Sequence, residues 1–293
     1  MKASIKTFLH RAGSVLAIAG LALVVQRLYA QHDTLQAVHF SKLQYLSIAG
    51  LAMIYGLSGW LLAMAWQKIL AHLGTRMPAS SAIRIYGLSQ IGKYLPGNIF
   101  HLAGRQGLGM AEGVPSWTLI KSTVWELGLM CTTASPFLLL VAPAYFRLER
   151  LQDAAVAGVA LLLMVFAWVI RRVWGTPLMQ AFLLHLLFLC VAGLVFAGVA
   201  NAVSVDRIGA WGTLASCFVI AWLMGLVVPG APAGIGIREL VLLGLLANQL
   251  STEAALLTVG VSRIVTAAGD VLFWLGALTL AQLVRSKTPS VTD

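Results

Sequence analysis

Two stretches of this chain, Tyr94-Leu95-Pro96-Gly97 and Val227-Val228-Pro229-Gly230, decide its architecture. In each, an arginine stands eight residues after the glycine, Arg105 in the first and Arg238 in the second. Because proline removes a backbone donor and glycine loosens a helix, each Pro-Gly step predicts a helix break. Matching breaks in the two halves of an apolar chain are typical of the substrate path of a transporter.

The composition predicts an integral membrane protein. Of the 293 residues, 59% are hydrophobic and 10% are charged, whereas soluble domains carry about 25% charged residues. Mean hydropathy is +0.88. The net charge of +10 comes from basic residues at the ends of apolar segments, a pattern that fixes topology and argues against nucleic acid as a partner. Cys131, Cys190 and Cys217 lie inside apolar runs without metal-ligand spacing, so we predict no disulfide framework, metal site or cofactor.

Six apolar stretches reach or approach the roughly 20 residues that cross a bilayer: 12–30, 45–66, 116–141, 153–170, 178–201 and 254–283. Two further apolar regions, 81–112 and 211–250, contain the Pro-Gly steps and are rich in glycine. We expect each of these two regions to form a re-entrant helical hairpin. A rival interpretation makes 211–228 a full span, since its eighteen residues are long enough.

The two halves correspond when the second is shifted by 133 residues onto the first, which superposes Pro96 on Pro229. The shift carries 45–66 and 116–141 onto the fifth and last spans. We therefore predict an all-α membrane protein of two repeats, about 1–142 and 143–285, followed by a short polar tail, 286–293. Each repeat has three full transmembrane helices and one re-entrant hairpin, and the odd number of crossings makes the repeats inverted.

Basic residues predict the orientation of the chain. They flank the first and second spans, follow the fourth and end the chain, and they place both termini in the cytoplasm: Lys2, Lys6, Arg11, Lys68, Arg76, Arg84, Arg171, Arg172, Arg285 and Lys287. Leu28-Tyr29-Ala30 is a poor signal-peptide cleavage site because Leu28 is large, so we expect the first span to be retained. Six tryptophans near segment ends are predicted interface anchors: Trp60, Trp66, Trp117, Trp168, Trp174 and Trp211.

The segments Gly92-Lys93-Tyr94-Leu95-Pro96-Gly97-Asn98-Ile99-Phe100-His101-Leu102-Ala103-Gly104-Arg105 and Val228-Pro229-Gly230-Ala231-Pro232-Ala233-Gly234-Ile235-Gly236-Ile237-Arg238-Glu239 carry a resemblance. Together they resemble the transmembrane domain of the lysylphosphatidylglycerol synthetase/flippase family, over nearly the whole chain. The resemblance is to a stand-alone member without the soluble aminoacyltransferase domain. It implies a lipid-moving protein of the bacterial inner membrane, and it does not identify the lipid.

The two arginines are the leading site candidates. An arginine at the bilayer centre costs about 2.5–3.5 kcal/mol, so it needs a partner or a wet cavity. We expect Arg105 and Arg238 to grip a lipid phosphate in fork geometry. The structural alternative is that each pairs with a local carboxylate or caps carbonyls of a broken helix. Pro96, Gly97, Pro229 and Gly230 would form the elbows.

Five further polar residues complete the predicted substrate site: His101, Asn98, Glu126, Arg263 and Asp270. His101 precedes Arg105 by one helical turn, and Asn98 is placed to satisfy freed backbone groups or reach a headgroup. We expect Glu126, Arg263 and Asp270 to face the interior of the bundle. Glu126 could pair with Arg263, and Asp270 could serve as a proton site or as a partner for Arg238. The alternative role is a set of ion pairs that hold the bundle together.

The sequence thus predicts a translocase, not an enzyme, whose partners are membrane lipids, either an anionic phospholipid or a polyprenyl-linked glycolipid. Two rival functions stay open. One is a membrane-embedded transferase acting on lipid-linked sugars, and the other is a non-transporting scaffold for a glycosyltransferase. Acidic residues form no Asp-x-Asp or His/Asp cluster, which counts against the transferase.

Overall fold

The computed structural model describes residues 40–94, 100–146, 148–204, 211–228 and 234–286. These ranges contain ten α-helices, several short 3-10 turns and no β-strand. The prediction of an all-α protein is therefore confirmed for the part of the chain that the structure describes. The Pro-Gly steps and Asn98 lie outside the described residues.

The helices, numbered along the chain, have the following bounds: α1 Lys42–His72, α2 Ala79–Gln90, α3 Phe100–Ala111, α4 Ser116–Ala134, α5 Leu138–Tyr145, α6 Gln152–Trp174, α7 Thr176–Val203, α8 Trp211–Val227, α9 Ile237–Leu246 and α10 Thr252–Ser286. A 3-10 turn, Ile91–Tyr94, continues from α2, and another, Ser135–Phe137, joins α4 to α5.

Five helical stretches are long and apolar enough to cross a membrane: Lys42–His72, Ser116–Pro143, Gln152–Trp174, Thr176–Val203 and Thr252–Leu280. They coincide with five of the six predicted spans, while the sixth, 12–30, lies outside the described residues. Helix α8 is apolar but has only 17 residues, fewer than the roughly 20 that a span requires. The five long helices indicate a multi-pass membrane protein.

Local sequence explains where the long helices begin. Ser41 caps α1, because its side chain accepts a hydrogen bond from the Gln44 backbone while the Gln44 side chain accepts one from the Ser41 backbone. Between α6 and α7 the chain reverses at Gly175, whose φ of 91° favours glycine. Pro177 follows in the first turn of α7, where its missing N–H needs no partner.

The centre of the bundle is the long contact between α1 and α7, against which α10 and α8 also pack. Small residues allow these approaches. A Cβ added to Gly56 of α1 would lie 2.8 Å from the Gly269 carbonyl oxygen of α10. A Cβ on Gly193 of α7 would lie 2.9 Å from the Cβ of Ala215 on α8. These contacts fix the positions of the helices that surround the site.

The outer surface is apolar, as lipid requires. Helix α6 is the most peripheral long helix, since only 11% of its apolar window is buried. Five of the six predicted tryptophan anchors are exposed, but Trp66 is completely buried. Its assignment as an interface anchor is wrong, because it lies on the inward face of α1. There its Nε1 donates a hydrogen bond to the Ser122 hydroxyl at 3.0 Å.

Candidate functional site

A polar cavity of about 100 Å³ lies inside the described bundle, large enough for several water molecules. Its wall is built from α1, α2, α3, α4, α8, α9 and α10 together with the 3-10 turn that follows α2. Arg105, Arg238 and His101 all line it, as do Glu126, Arg263 and Asp270. The prediction that the last three face the bundle interior or a polar cavity is confirmed.

Arg105 is held by a carboxylate and two aromatic rings. Its Nη1 lies 2.8 Å and 2.9 Å from the two carboxylate oxygens of Glu126. The Tyr86 hydroxyl donates to the same carboxylate at 2.7 Å. The guanidinium carbon lies 4.4 Å from the centre of the Tyr86 ring and 5.6 Å from that of Trp66, as in cation–π contacts. This cluster is buried, so Glu126 neutralises Arg105 inside the protein.

Asp270 on α10 is the acceptor of a second cluster. Lys93 Nζ lies 2.7 Å from its Oδ2, and the Tyr94 hydroxyl donates to the same oxygen at 2.5 Å. Gln90 Nε2 donates to Oδ1 at 3.3 Å. All three donors come from α2 and the 3-10 turn after it. The cluster therefore ties the chain just before the first Pro-Gly step to the last long helix.

Glu239 and Arg263 form the third ion pair. Arg263 Nε lies 2.6 Å from Glu239 Oε1. The other Glu239 oxygen accepts the backbone N–H of Gly236 at 2.6 Å, at the start of α9. A carboxylate is favourable there because the first turn of a helix presents unpaired N–H groups. Glu239 thus fastens the start of α9 to α10 and leaves its neighbour in sequence, Arg238, unneutralised.

Arg238 has no such carboxylate. Its residue is only 4% exposed, and its guanidinium carbon lies 4.3 Å from the centre of the Phe218 ring. Nε and Nη2 are buried without a hydrogen-bond partner among the described residues. These two nitrogens are the pair whose N–H bonds point the same way, the side-on fork that binds two oxygens of one anion. A buried cation without a counter-ion is costly and marks a functional site.

The structure corrects two predicted pairings. Glu126 does not pair with Arg263, because Arg105 approaches it from the neighbouring helix α3. Asp270 does not pair with Arg238, because Lys93, Tyr94 and Gln90 surround its carboxylate. For Arg105 the structural alternative, a local carboxylate, describes the contact. For Arg238 the described residues supply no such carboxylate.

His101 lines the cavity one turn before Arg105, and its Nδ1 is buried without a hydrogen-bond partner among the described residues. Asn98 and the elbow residues Pro96, Gly97, Pro229 and Gly230 lie outside the described residues. Their predicted roles stay predictions.

Sequence reasoning missed the donors that surround Asp270 and the tyrosine beside Glu126. A signal for them existed, because Tyr86, Gln90 and Lys93–Tyr94 recur at steps of three or four residues and therefore share one face of a helix. Polar residues at that spacing immediately before a helix break would have predicted a polar lining on this side of the cavity.

Comparison of this sequence with protein-family models and with curated proteins found no match. No group of three or more His, Cys, Asp or Glu residues that could hold a metal ion lies in the part of the chain that the structure describes.

Proposed function

We propose that this protein is a lipid translocase that moves an anionic phospholipid or a lipid-linked sugar between the leaflets of a bacterial inner membrane. The observation that carries the proposal is Arg238, a buried arginine whose fork has no partner among the described residues, in a polar cavity inside an apolar bundle. An anionic headgroup would supply the missing counter-ion. The lipid tails would stay in the surrounding bilayer, so the apolar outer surface of the protein suits them.

The proposed architecture is a pair of inverted repeats, and helix bounds support it. A shift of 133 residues carries α1, Lys42–His72, almost onto α7, Thr176–Val203. The same shift brings α2 and α3 close to α8 and α9 and moves the helical stretch Ser116–Pro143 onto the first part of α10. The rings of Tyr55 and Phe188, which correspond under this shift, have centroids 6.2 Å apart. Contact between corresponding residues is expected near a pseudo-two-fold axis.

Matching close contacts support a re-entrant hairpin in each repeat. A Cβ on Gly92 would lie 2.8 Å from the His101 backbone nitrogen, and a Cβ on Gly225 would lie 3.2 Å from the Gly234 Cα. Gly92 corresponds to Gly225 and His101 to Gly234 under the shift of 133. In both regions the same two positions therefore touch across a Pro-Gly step. The short length of α8, 17 residues, favours a hairpin over a full span for 211–228.

In this proposal the headgroup enters the cavity between the two hairpins, replaces water and contacts Arg238 while the tails remain in lipid. Movement down a concentration gradient would need no nucleotide. Family membership, as the stand-alone transmembrane domain of the lysylphosphatidylglycerol synthetase/flippase family, and cytoplasmic termini belong to the same proposal. Both rest on the sequence motifs and on the basic residues at the ends of spans.

The decisive experiment places purified protein in liposomes with fluorescent phosphatidylglycerol and follows how much of the probe an impermeant quencher reaches. We expect wild-type protein to expose the inner-leaflet probe. Arg238→Gln should slow this exposure by about tenfold or more, since hydrogen bonds to a charged group contribute about 1.5–3 kcal/mol. Arg238→Lys should be nearly as slow, because lysine lacks the planar fork.

The matched control is Arg84→Gln, which removes an arginine paired with Glu112 away from the cavity lining. It should translocate like wild type. Wild-type flipping by a folded Arg238→Gln protein would remove this arginine from the mechanism and revive the scaffold. A modified lipid product instead of a redistributed probe would indicate the transferase. Absence of flipping for every anionic lipid and lipid-linked sugar tried would contradict the proposal.

A further inference from the structure

The charges that line the cavity can be paired almost completely. Four lysine or arginine side chains line it: Lys93, Arg105, Arg238 and Arg263. Three carboxylates neutralise the first, second and fourth of these, in the order Asp270, Glu126 and Glu239. Among the described residues Arg238 is left with no ion pair, so the cavity network carries one uncompensated positive charge.

The geometry of Arg238 narrows the ligand further. One face of its guanidinium lies on the Phe218 ring, and the nitrogens that lack partners are those of a single side-on fork, Nε and Nη2. Such a fork binds two oxygens of the same group. Two non-bridging oxygens on one phosphorus, sharing one negative charge, match both the fork and the charge.

Arg105 is not equivalent in this respect. Its Nη1 contacts both oxygens of Glu126, and both side chains are buried. A ligand that took Arg105 would have to displace Glu126 and leave that carboxylate buried without its partner, which is unfavourable. Arg105 is therefore a positioning residue that holds α3 against α4 and shapes the cavity around Arg238.

Resting on the proposed function, we propose that the cavity selects lipids whose headgroup is joined through a single phosphodiester, which binds Arg238 alone. A pyrophosphate would bring at least one further negative charge into a site with no second free cation among the described residues. The cavity should therefore discriminate against pyrophosphate-linked lipids. This differs from the expectation that both arginines share one phosphate or pyrophosphate.

The test measures equilibrium binding to purified, detergent-solubilised protein by calorimetry, using dihexanoyl phosphatidylglycerol and farnesyl pyrophosphate as probes. Wild-type protein should bind the phosphodiester lipid about tenfold or more tightly than the pyrophosphate. Arg238→Gln should weaken phosphatidylglycerol binding about tenfold or more, and the control Arg84→Gln should leave it unchanged. Equal or tighter binding of the pyrophosphate by wild type would overturn the proposal.

Glu126→Gln makes the test two-sided. It removes the charge that neutralises Arg105 while keeping a side chain of the same shape, so the cavity gains a second free cation. We expect pyrophosphate binding to strengthen about tenfold or more while phosphatidylglycerol binding changes little. If Glu126→Gln does not fold, Arg238→Gln and the wild-type preference still decide the question. Folded Glu126→Gln protein with no gain for pyrophosphate would contradict the assignment of Arg105 as a neutralised residue.

A third probe, glycerophosphoglycerol, carries the same phosphodiester without tails and distinguishes a lipid from a soluble ligand. It should bind at least about tenfold more weakly than the lipid, and equal binding would overturn the lipid assignment. These binding measurements fail independently of the flipping assay. Phosphodiester binding through Arg238 without translocation would sink the proposed function alone, whereas translocation that ignores Arg238 and favours pyrophosphate would sink this inference alone.

Discussion

Arg105 and Arg238 stand 133 residues apart at corresponding places in the two halves of the chain, and both line the same cavity. Their backbones are similarly packed, since Gly92 touches His101 before the first and Gly225 touches Gly234 before the second. Their electrostatics differ completely. Arg105 contacts Glu126 at 2.8 Å, whereas two nitrogens of Arg238 have no partner among the described residues. Corresponding positions therefore share a structural frame without sharing a role.

The largest expected effect breaks this contrast at Glu126. Glu126→Ala leaves Arg105 buried and unpaired, which should lower the free energy of unfolding by about 3–5 kcal/mol. Arg238→Gln, by contrast, removes a cation that has no counter-ion, so it should leave stability unchanged or raise it. Thermal and denaturant unfolding in detergent micelles would measure both.

The control for this pair is the double variant Arg105→Gln/Glu126→Gln, which removes both charges together. It should recover much of the stability that Glu126→Ala loses, because neutral amides can hydrogen-bond without the cost of a buried charge. Equal destabilisation by Glu126→Ala and Arg238→Gln would mean that Arg238 has a counter-ion after all, and the contrast between the two arginines would fall.

The long helices could be predicted from sequence because length and apolarity are enough to define them. The predicted span 178–201 became Thr176–Val203, and 153–170 became Gln152–Trp174. Trp66 was misassigned because nearness to the end of an apolar segment does not say which way a side chain points. Its ring faces α4 and donates to Ser122, so the surrounding helices decide its environment.

The members of the site could also be predicted, since charged residues at membrane depth must face inward. Their pairing could not, because spacing along one helix defines a face and not the partner across from it. Arg105 and Glu126 lie on consecutive helices joined by the short connection 112–115, and such helices are neighbours. That topology made Glu126 the nearer partner, whereas the comparison between repeats favoured Arg263.

A smaller effect tests whether the two halves share their backbone frame. Gly92→Ala should destabilise the protein by about 1–3 kcal/mol, since the new Cβ would lie 2.8 Å and 2.9 Å from backbone atoms of the following segment. Gly225→Ala should cost less, because its nearest contact would be 3.2 Å. Unfolding of both variants in the same micelles provides the comparison.

Two glycines with nothing within 4 Å of an added Cβ, Gly107 on α3 and Gly244 on α9, are the matched controls. Alanine there should be neutral or stabilise by up to about 1 kcal/mol through helix propensity. If Gly92→Ala and Gly225→Ala behaved like these controls, the close contacts across the two Pro-Gly steps would not constrain the fold, and the shared frame would lose its main support.

The smallest expected effect isolates burial from pairing. Arg84 and Glu112 form an ion pair in the same half as Arg105 and Glu126, but their side chains are 23% and 33% exposed. Water and salt screen such a pair, so Arg84→Gln should lower the free energy of unfolding by at most about 1 kcal/mol. The loss should shrink further when ionic strength rises. Glu126→Ala should keep its full cost at the same salt concentration, because its site is buried. Were Arg84→Gln as damaging as Glu126→Ala, pairing alone would set the cost, and the absence of a counter-ion at Arg238 among the described residues would no longer single it out.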